Sequence, residues 1–522
     1  TFISYRNPAI ILPIVVAIAL LSGATVIVLS LIPVYLPTRS ITPVHNAKSA
    51  RIAIIGAGLS GLTAGVTLLD SNMFSNDKIV IYEADTKIGG RVQSKFWSPD
   101  NQTSEWGGEY LDSNYYVTFS LIERFGIKLI DTIEATNDAY GTTYYFLSRF
   151  YNETQAWNDY KAIEHIIKEQ IEQIGDINYN ESNSYGRYFD SLSLYDWIEL
   201  YVPDGHRSYF GAYIDSAYEQ EFGFPTRDLS SLNFLFLIAP DSQPENGPLS
   251  IYGLSDQRYR MIGGNDQLPR KMSEYLSSHD VNIKLNHNLT KIAKLKNNKY
   301  RLTFENQQSY IYDHVILTLP LSTLKYVDYS QAEFDSLKKR VINEVKYGLN
   351  TKINIQFSRR FWYDVSSDGI IYTDLPFLNS WEESLNQTGD TGILVLLTVT
   401  TNETAFTPRE TFDTLSNSSN SASAAAYING FLSDLNEVWP NASTYYTGQS
   451  TISAPWFSKF YLGSYPAYGL NQYSTIHGYE SARQGNVHFA GDYASIDYLG
   501  LMEGATSEGQ RAAYDIINDY KN

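Results

Sequence analysis

The segment RIAIIGAGLSGL, residues 51–62, constrains the fold of this chain more than any other. An apolar run leads directly into Gly56-x-Gly58-x-x-Gly61, and a helix-compatible stretch follows. This pattern predicts the strand, tight turn and helix of a dinucleotide-binding unit: Gly56 permits the turn, Gly58 lets backbone amides approach a diphosphate, and Gly61 allows close helix packing. The diphosphate would lie at the N-terminal end of the helix, beside Ser60, where negative charge is favoured.

A second apolar strand, residues 79–82, ends at Glu83 and Ala84. A carboxylate at this place can accept hydrogen bonds from ribose hydroxyls, which favours NAD or FAD over a 2′-phosphorylated cofactor. An ordinary strand-to-helix turn is the alternative interpretation of the glycines. The fingerprint by itself leaves the choice between NAD and FAD open.

Composition narrows the class of protein further. A chain of 522 residues is too long to fold around one simple hydrophobic core, so we expect two intertwined domains plus an appendage. The net charge of −18 argues against nucleic acid as a partner. The absence of cysteine excludes disulfides, thiolate catalysis, iron–sulfur clusters and cysteine-linked flavin. The eight histidines show no metal-ligand spacing, so no metal site is expected and His488 is interpreted as structural.

The N-terminal region differs in composition from the rest of the chain. No charged residue occurs from Pro8 to Pro37, and this apolar run is long enough to cross a hydrocarbon core of about 30 Å. It is also longer than the apolar region of a cleaved signal peptide. We therefore predict a single-pass membrane anchor and linker over residues 1–50, while a buried helix is the weaker alternative.

The catalytic part of the chain is predicted to be lumenal or extracellular. The basis is a set of potential N-glycosylation sequons, although the lack of cysteine favours the opposite compartment. The charges that flank the apolar run do not determine its orientation in the membrane. The sequons lie at Asn101, Asn152, Asn180, Asn288, Asn386, Asn402, Asn417 and Asn441.

Several further segments together resemble the flavin-containing amine oxidase family, which includes monoamine, polyamine and L-amino-acid oxidases. IGGRVQS, with Gly90 and Arg91, resembles the second flavin motif of that family, in which the arginine supports the phosphate region. EWGGEYLD, residues 105–112, is similar to the glycine pair that passes under the flavin ring. The C-terminal HFAGD and YLGLMEGATSEGQRAA, residues 488–492 and 498–513, are the most specific matches.

The resemblance implies a non-covalent FAD, because Ser464 stands where monoamine oxidases attach flavin through cysteine. The helix that begins near Met502 would stabilise negative charge developing on the flavin. The implied cofactor-binding residues are Gly56, Gly58, Ser60, Gly61, Glu83, Ala84, Gly90, Arg91, Gly107, Gly108, Glu109, Leu289, Gly491, Asp492, Leu501 and Met502.

The resemblance also implies the fold class. This is an α/β chain with a Rossmann-like FAD-binding domain of the glutathione-reductase type, interleaved with a mixed-sheet and helical substrate domain. We assign residues 51–120, 255–320 and 478–522 to the FAD-binding domain. Residues 121–254 and 321–477 are assigned to the substrate-binding domain.

Two positions carry the implied chemistry. Lys352 matches the strand lysine that holds a water beside the flavin, and burial would suit it to handle protons or to activate oxygen. Tyr465 aligns with one wall of an aromatic cage around the substrate amine. The second wall is usually aromatic, but here it is Leu501, which predicts weaker cation–π attraction.

An amine, with polyamines as a candidate class, is the preferred substrate, and O2 would be reduced to hydrogen peroxide. Asp112 aligns with an acidic position of some polyamine oxidases, although a loop or helix-cap role is an equal alternative. An L-amino-acid oxidase would need a carboxylate-binding arginine. Candidates for that residue are Arg258, Arg260 and Arg360. A porphyrinogen oxidase or desaturase and a non-catalytic flavin scaffold are weaker alternatives.

Overall fold

The computed structural model describes residues 47–137, 139–245, 247–400, 408–415 and 421–521. Residues 1–46 of the predicted anchor and linker lie outside these ranges, so the anchor stays a prediction. Within the described ranges, no helix combines the length and the apolar character needed to cross a bilayer.

A parallel five-stranded sheet forms around the first predicted strand. Residues 52–55 are fully buried, as is typical of parallel strands covered on both faces. The neighbouring strands on either side pair with them in parallel register. The spatial order of the sheet is Val487–Phe489, His314–Leu317, Ile52–Ile55, Ile79–Tyr82 and Asn282–Lys284.

The helix Leu59–Asp70 follows the first strand and packs against the helices Gln267–Ser278 and Met502–Lys521. Small residues make this close packing possible. A Cβ at Gly65 would lie 2.9 Å from Ile81 Cδ1. One at Gly509 would collide with the backbone of Ser60 in the helix Leu59–Asp70, which we call the glycine-rich helix. The predicted dinucleotide-binding strand, turn and helix are therefore confirmed.

A mixed eight-stranded sheet forms the second layer. Its central strand, Asn350–Phe357, is buried along its whole length and pairs antiparallel with both neighbours. The spatial order is Phe412–Thr414, Tyr446–Ser453, Asn350–Phe357, Gly392–Val399, Asn379–Glu382, Ser367–Thr373, Gly141–Phe146 and Arg149–Tyr151.

A helical block packs beside this sheet, and its longest helix shows why the block forms. The helix Glu153–Ile174 begins where the side chain of Asn152 accepts hydrogen bonds from the backbone N–H groups of Thr154 and Gln155. The isoleucines at helical spacing along one face lie in the core of the block, with Ile163 and Ile167 fully buried. The other helices of this block are Ser184–Ser191, Leu194–Tyr201, Tyr209–Phe222 and Leu232–Leu237.

Smaller elements complete the fold. A four-stranded sheet contains Ser309–Tyr312, Tyr300–Phe304, Leu289–Lys294 and Asp328–Gln331. Two-stranded ladders pair Ser94–Trp97 with Gln102–Glu105, Leu129–Asp131 with Tyr259–Met261, and Lys346–Tyr347 with Pro466–Ala467. The remaining α-helices are Tyr116–Arg124, Thr132–Ala135, Leu321–Leu324, Ser336–Glu344 and Ser421–Val438. The α/β fold class agrees with the sequence, whereas the assignment of segments to two named domains stays a prediction.

Shortening a buried side chain on the strand Ile52–Ile55 tests the role of the parallel sheet. Ile54 has no exposed surface, so Ile54→Ala should lower the free energy of unfolding by about 2–5 kcal/mol. Ile496 is 52% exposed, and Ile496→Ala should change it by less than about 0.5 kcal/mol. Urea denaturation followed by circular dichroism measures both. Equal effects of the two substitutions would contradict the assigned core.

Candidate active site

A cavity of about 730 Å³ extends from the glycine-rich turn to the central strand of the eight-stranded sheet. It brings together residues from the start, the middle and the end of the chain. The predicted site residues that line it are Gly56, Gly58, Ser60, Glu83, Ala84, Gly90, Arg91, Gly107, Gly108, Glu109, Asp112, Leu289, Lys352, Tyr465, Gly491, Asp492, Leu501 and Met502.

The glycine turn has the shape that a diphosphate needs. Gly56 adopts a φ of +114°, and a Cβ there would collide with Thr318. A Cβ at Gly58 would meet only Gly90 Cα, at 4.0 Å, so the backbone faces open space on the cavity side. Gly61 faces the turn instead of the cavity, which agrees with its predicted packing role.

Glu83 holds the turn in place. Its Oε2 accepts a hydrogen bond from the Ala57 N–H at 2.8 Å, and its Oε1 accepts one from Asp85 at 2.9 Å. Burial raises the pKa of Glu83, while these backbone donors oppose the increase. The carboxylate therefore supports the backbone as well as lining the cavity where a ribose would lie.

Arg91 and Asp492 form a bidentate ion pair that the sequence did not predict. The Arg91 Nη2 lies 2.8 Å from Asp492 Oδ1, and its Nη1 lies 2.9 Å from Oδ2. Nη1 also donates to the carbonyl of Ser464 at 2.5 Å. The guanidinium lines the cavity while it is paired with another residue of the predicted site, and its expected support of the phosphate region stays a prediction.

Lys352 is buried, as predicted, on the central strand of the eight-stranded sheet. Its Nζ donates to Glu109 Oε2 at 2.7 Å and to the carbonyls of Gly107 and Glu105 at 3.1 and 3.3 Å. An ammonium group has three donors, and all three are engaged here. The predicted water-binding role of Lys352 would require one of these bonds to open.

The structure places Glu109 against this lysine, although the resemblance assigned it to the cofactor. Its Oε1 also accepts from Trp381 Nε1 at 2.8 Å and lies 3.2 Å from Arg260 Nη1. Burial opposes ionisation of Glu109, but Lys352 and Arg260 hold its pKa below the ordinary value. The signal in the sequence is an acid immediately after a glycine pair in a segment that becomes buried.

The aromatic wall is richer than the sequence predicted. Tyr465 and the half-buried Leu501 line the cavity together. Trp381 and Tyr110, which sequence analysis missed, also line it, and their ring centroids lie 6.2 Å apart. Two further aromatic side chains therefore line the same cavity as Tyr465 and Leu501.

Two carboxyl groups line the cavity, and the charge of one acts on the other. Asp112 Oδ1 accepts from Ser255 Oγ at 2.9 Å and from the Gln257 N–H at 2.8 Å. Glu221, at the end of the helix Tyr209–Phe222, was missed by sequence analysis. Burial, followed by the charge of Asp112, raises the pKa of Glu221 to about 7. Asp112 thus stabilises a loop and contributes negative potential to the cavity.

None of the three candidate carboxylate-binding arginines lines the cavity. Arg258 donates to Asp131 at 2.7 Å, and Arg360 donates to Glu382 at 2.9 Å. Arg260 is buried and interacts with Glu109. The arginine alternatives raised by the sequence are therefore occupied elsewhere.

His488 has a neighbour that its spacing in the sequence did not predict. Ligand atoms of His314, His488 and Asp519 lie within 4.8 Å of one another, and both imidazoles are buried. Asp519 already forms a bidentate ion pair with Arg483 at 2.9 and 3.1 Å. In this part of the molecule the aspartate charge is balanced by an arginine.

The glycine turn, the cavity and the buried lysine define a flavin-dependent oxidoreductase. A sequence profile described as flavin containing amine oxidoreductase matches residues 59–517, so the chain belongs to that family. It is accordingly an enzyme that binds flavin and oxidises amine donors.

Two curated relatives and one solved structure illustrate the similarity. YobN of Bacillus subtilis (strain 168), provisionally called an L-amino-acid oxidase, is 25% identical over 91% of this chain and 97% of its own. Polyamine oxidase 5 of Oryza sativa subsp. japonica is 23% identical over 90% of this chain and 88% of its own. A structure of putrescine oxidase bound to putrescine shares the fold, with a TM-score of 0.71, 19% identity, and coverage of 90% and 99%.

Removal of the guanidinium tests the Arg91–Asp492 pair. Arg91→Met leaves the buried Asp492 carboxylate unpaired, which should cost about 3–5 kcal/mol and release most of the bound flavin. Arg340→Met breaks an exposed pair with Glu344 and should cost less than about 1 kcal/mol. Flavin absorbance per chain and thermal unfolding measure both effects. Normal flavin content in Arg91→Met would show that the pair is dispensable.

Proposed function

We propose that this chain is an FAD-dependent oxidase whose substrates are amines with a second cationic group, such as diamines and polyamines. The observation that carries the proposal is the pair of carboxyl groups, Asp112 and Glu221, in the same cavity as Lys352 and Tyr465. FAD would be held without a covalent bond, because Ser464 and the rest of the chain provide no cysteine.

The two carboxyl groups are suited to an ammonium at a distance from the reacting nitrogen. Burial makes each carboxylate costly to ionise alone, and a cation placed between them would offset that cost. The aromatic rings of Tyr465 and Trp381 would contact the carbon chain of the amine, and the faces of these rings would attract its cationic groups. The site therefore favours a flexible dication over a monoamine.

The reaction removes two electrons and two protons from the CH–NH unit and produces an imine. Bound flavin supplies the electron acceptor, O2 is reduced to hydrogen peroxide, and water hydrolyses the imine to an aldehyde and an amine. The protein orients the amine through Asp112 and Glu221, excludes bulk water and places the Lys352 charge beside the reacting centre.

An L-amino-acid oxidase is the second candidate, because relatives named L-amino-acid oxidases align over 90% of this chain. Such an enzyme must bind a carboxylate. Among the described residues, the arginine that lines the cavity is Arg91, and its guanidinium is paired with Asp492. This arrangement favours the amine.

Peroxide release from the purified full-length protein tests the function. Spermidine and putrescine should be oxidised with the highest kcat/KM, benzylamine more weakly, and L-phenylalanine and porphyrinogens not measurably. Turnover confined to L-amino acids would overturn the proposed substrate class. A protein that contains no flavin and releases no peroxide would overturn the enzyme assignment.

Substitution of Glu221 tests the second cationic site. Glu221→Gln should raise KM for putrescine roughly 10- to 100-fold, as expected when a charged hydrogen bond of about 1.5–3 kcal/mol is lost. KM for benzylamine should change little, since it has no second ammonium. Glu219→Gln, on the same helix but outside the cavity lining, is the matched control. Equal effects on both amines would remove Glu221 from substrate recognition.

The pH dependence of binding gives an independent test. Because the pKa of Glu221 is raised to about 7, its carboxylate becomes charged as pH rises through that value. KM for putrescine should therefore fall roughly tenfold between pH 6 and pH 8, because the charged fraction of a carboxyl group with a pKa near 7 rises about tenfold over that range. Glu221→Gln should abolish this fall. Steady-state kinetics over the range, with benzylamine for comparison, measures it.

A further inference from the structure

At and behind the cavity wall lies a set of buried ionisable side chains, of which the proposed reaction uses only Lys352. We call Glu105, Glu109, Arg260, Lys352 and Glu383 the buried charge cluster. Each of these residues is at most 9% exposed. Burial of so many charges is costly unless they are paired, so the pairing pattern carries information.

Lys352 has one charged partner in this cluster. Its three donors go to Glu109 Oε2 at 2.7 Å and to two backbone carbonyls of the segment 105–107. The Nζ also lies 5.2 Å from the centroid of the Trp381 ring. The ammonium is thus held in one position by contacts that come mainly from a single loop.

Glu109 is itself held from three sides. Lys352 donates to Oε2, Trp381 Nε1 donates to Oε1 at 2.8 Å, and Arg260 Nη1 lies 3.2 Å from Oε1. These partners come from three different strand regions, which leaves the carboxylate no alternative rotamer without a lost hydrogen bond. A carboxylate so constrained can fix the position of the lysine it contacts.

Glu383 resembles Glu109 in burial but has different contacts. Its Oε1 accepts from the Glu105 N–H at 2.5 Å, and its Oε2 lies 3.4 Å from the same Arg260 Nη1. Burial, followed by the charge of Glu109, raises the pKa of Glu383 well above its usual range. Glu383 is therefore the neutral member of the two, and the structure gives it no hydrogen bond with Lys352.

We propose that Glu109 is a positioning residue, which holds Lys352 as a fixed ammonium at the cavity wall so that the lysine acts as a permanent positive charge instead of a proton carrier. The proposal rests on the proposed amine oxidation. It differs from the expectation that Lys352 exchanges protons, because every donor of the ammonium is engaged.

Loss of the Glu109 charge should release Lys352 from this state. In Glu109→Gln, the buried ammonium loses its hydrogen-bonded carboxylate, so burial then favours the neutral amine. The other ionisable groups that face Glu109 are Arg260, Glu383 and Tyr110. Glu105 and Glu383 also act electrostatically on Lys352, but neither of their carboxyl groups forms a hydrogen bond with it.

Thermal stability as a function of pH tests this without any turnover. A lysine whose pKa is lower in the folded than in the unfolded state, where it is about 10.4, makes the unfolded state bind more protons in that interval. Stability therefore rises with pH there. The Tm of Glu109→Gln should therefore rise between pH 7 and pH 9.5 relative to the Tm of the double variant Glu109→Gln/Lys352→Met. The double variant is the control because the raised pKa values of Glu105 and Glu383 make wild-type stability depend on pH in the same interval.

Stopped-flow kinetics provide the second readout. The rate of flavin reduction by putrescine in Glu109→Gln should acquire an ionisation between pH 6 and pH 9 that the wild type lacks. Glu109→Gln combined with Lys352→Met should lose this ionisation, which would assign it to the lysine. Glu109→Asp keeps the charge and should keep the wild-type pH profile at a lower rate. Flavin content shows that each variant is folded.

The outcomes separate the inference from the proposed function. Failure of the wild type to oxidise any amine would overturn the function, while the pH dependence of Tm would still test the lysine pairing. A wild-type pH profile of Glu109→Gln, together with a pH-independent Tm difference between this variant and the double variant Glu109→Gln/Lys352→Met, would overturn the positioning role. An equal new ionisation in Glu383→Gln would also overturn it, because a general loss of cluster charge would then explain the effect.

Discussion

The ion pair between Arg91 and Asp492 is the interaction on which the arrangement of the site depends. It connects the loop after the second strand to the loop after the last strand of the parallel sheet, and the Ser464 carbonyl joins it from a third segment. Bidentate geometry fixes orientation as well as distance. Three segments of the cavity lining therefore share one anchoring point.

A second set of charges plays the same part elsewhere in the cavity lining. There, Glu109 connects the glycine-pair loop to Lys352 on the large sheet and to Trp381, which lies two strands away in the same sheet. In both places a carboxylate from one segment receives donors from segments distant in sequence. The cavity walls are thus joined by polar contacts at two points, while apolar cores support the layers behind them.

The sequence predicted local features well because they depend on neighbouring residues. Glycines 56, 58 and 61 and the apolar strands each encode a backbone shape or a buried segment, and these appeared as expected. Pairings across the fold were not predictable in the same way. Arg91 with Asp492, Lys352 with Glu109, and Glu221 with Asp112 depend on how segments meet in space. A charged residue in the sequence does not reveal its partner.

The terminal helix Met502–Lys521 has a consequence for biosynthesis. It packs on the glycine-rich helix near the start of the described chain, and the adjacent strand Val487–Phe489 closes one edge of the parallel sheet. These segments leave the ribosome long after the first strand of the unit that they complete. Such long-range contacts fold slowly because a long loop must close first. The nascent chain therefore cannot enclose a cofactor until residues 487–521 have been made.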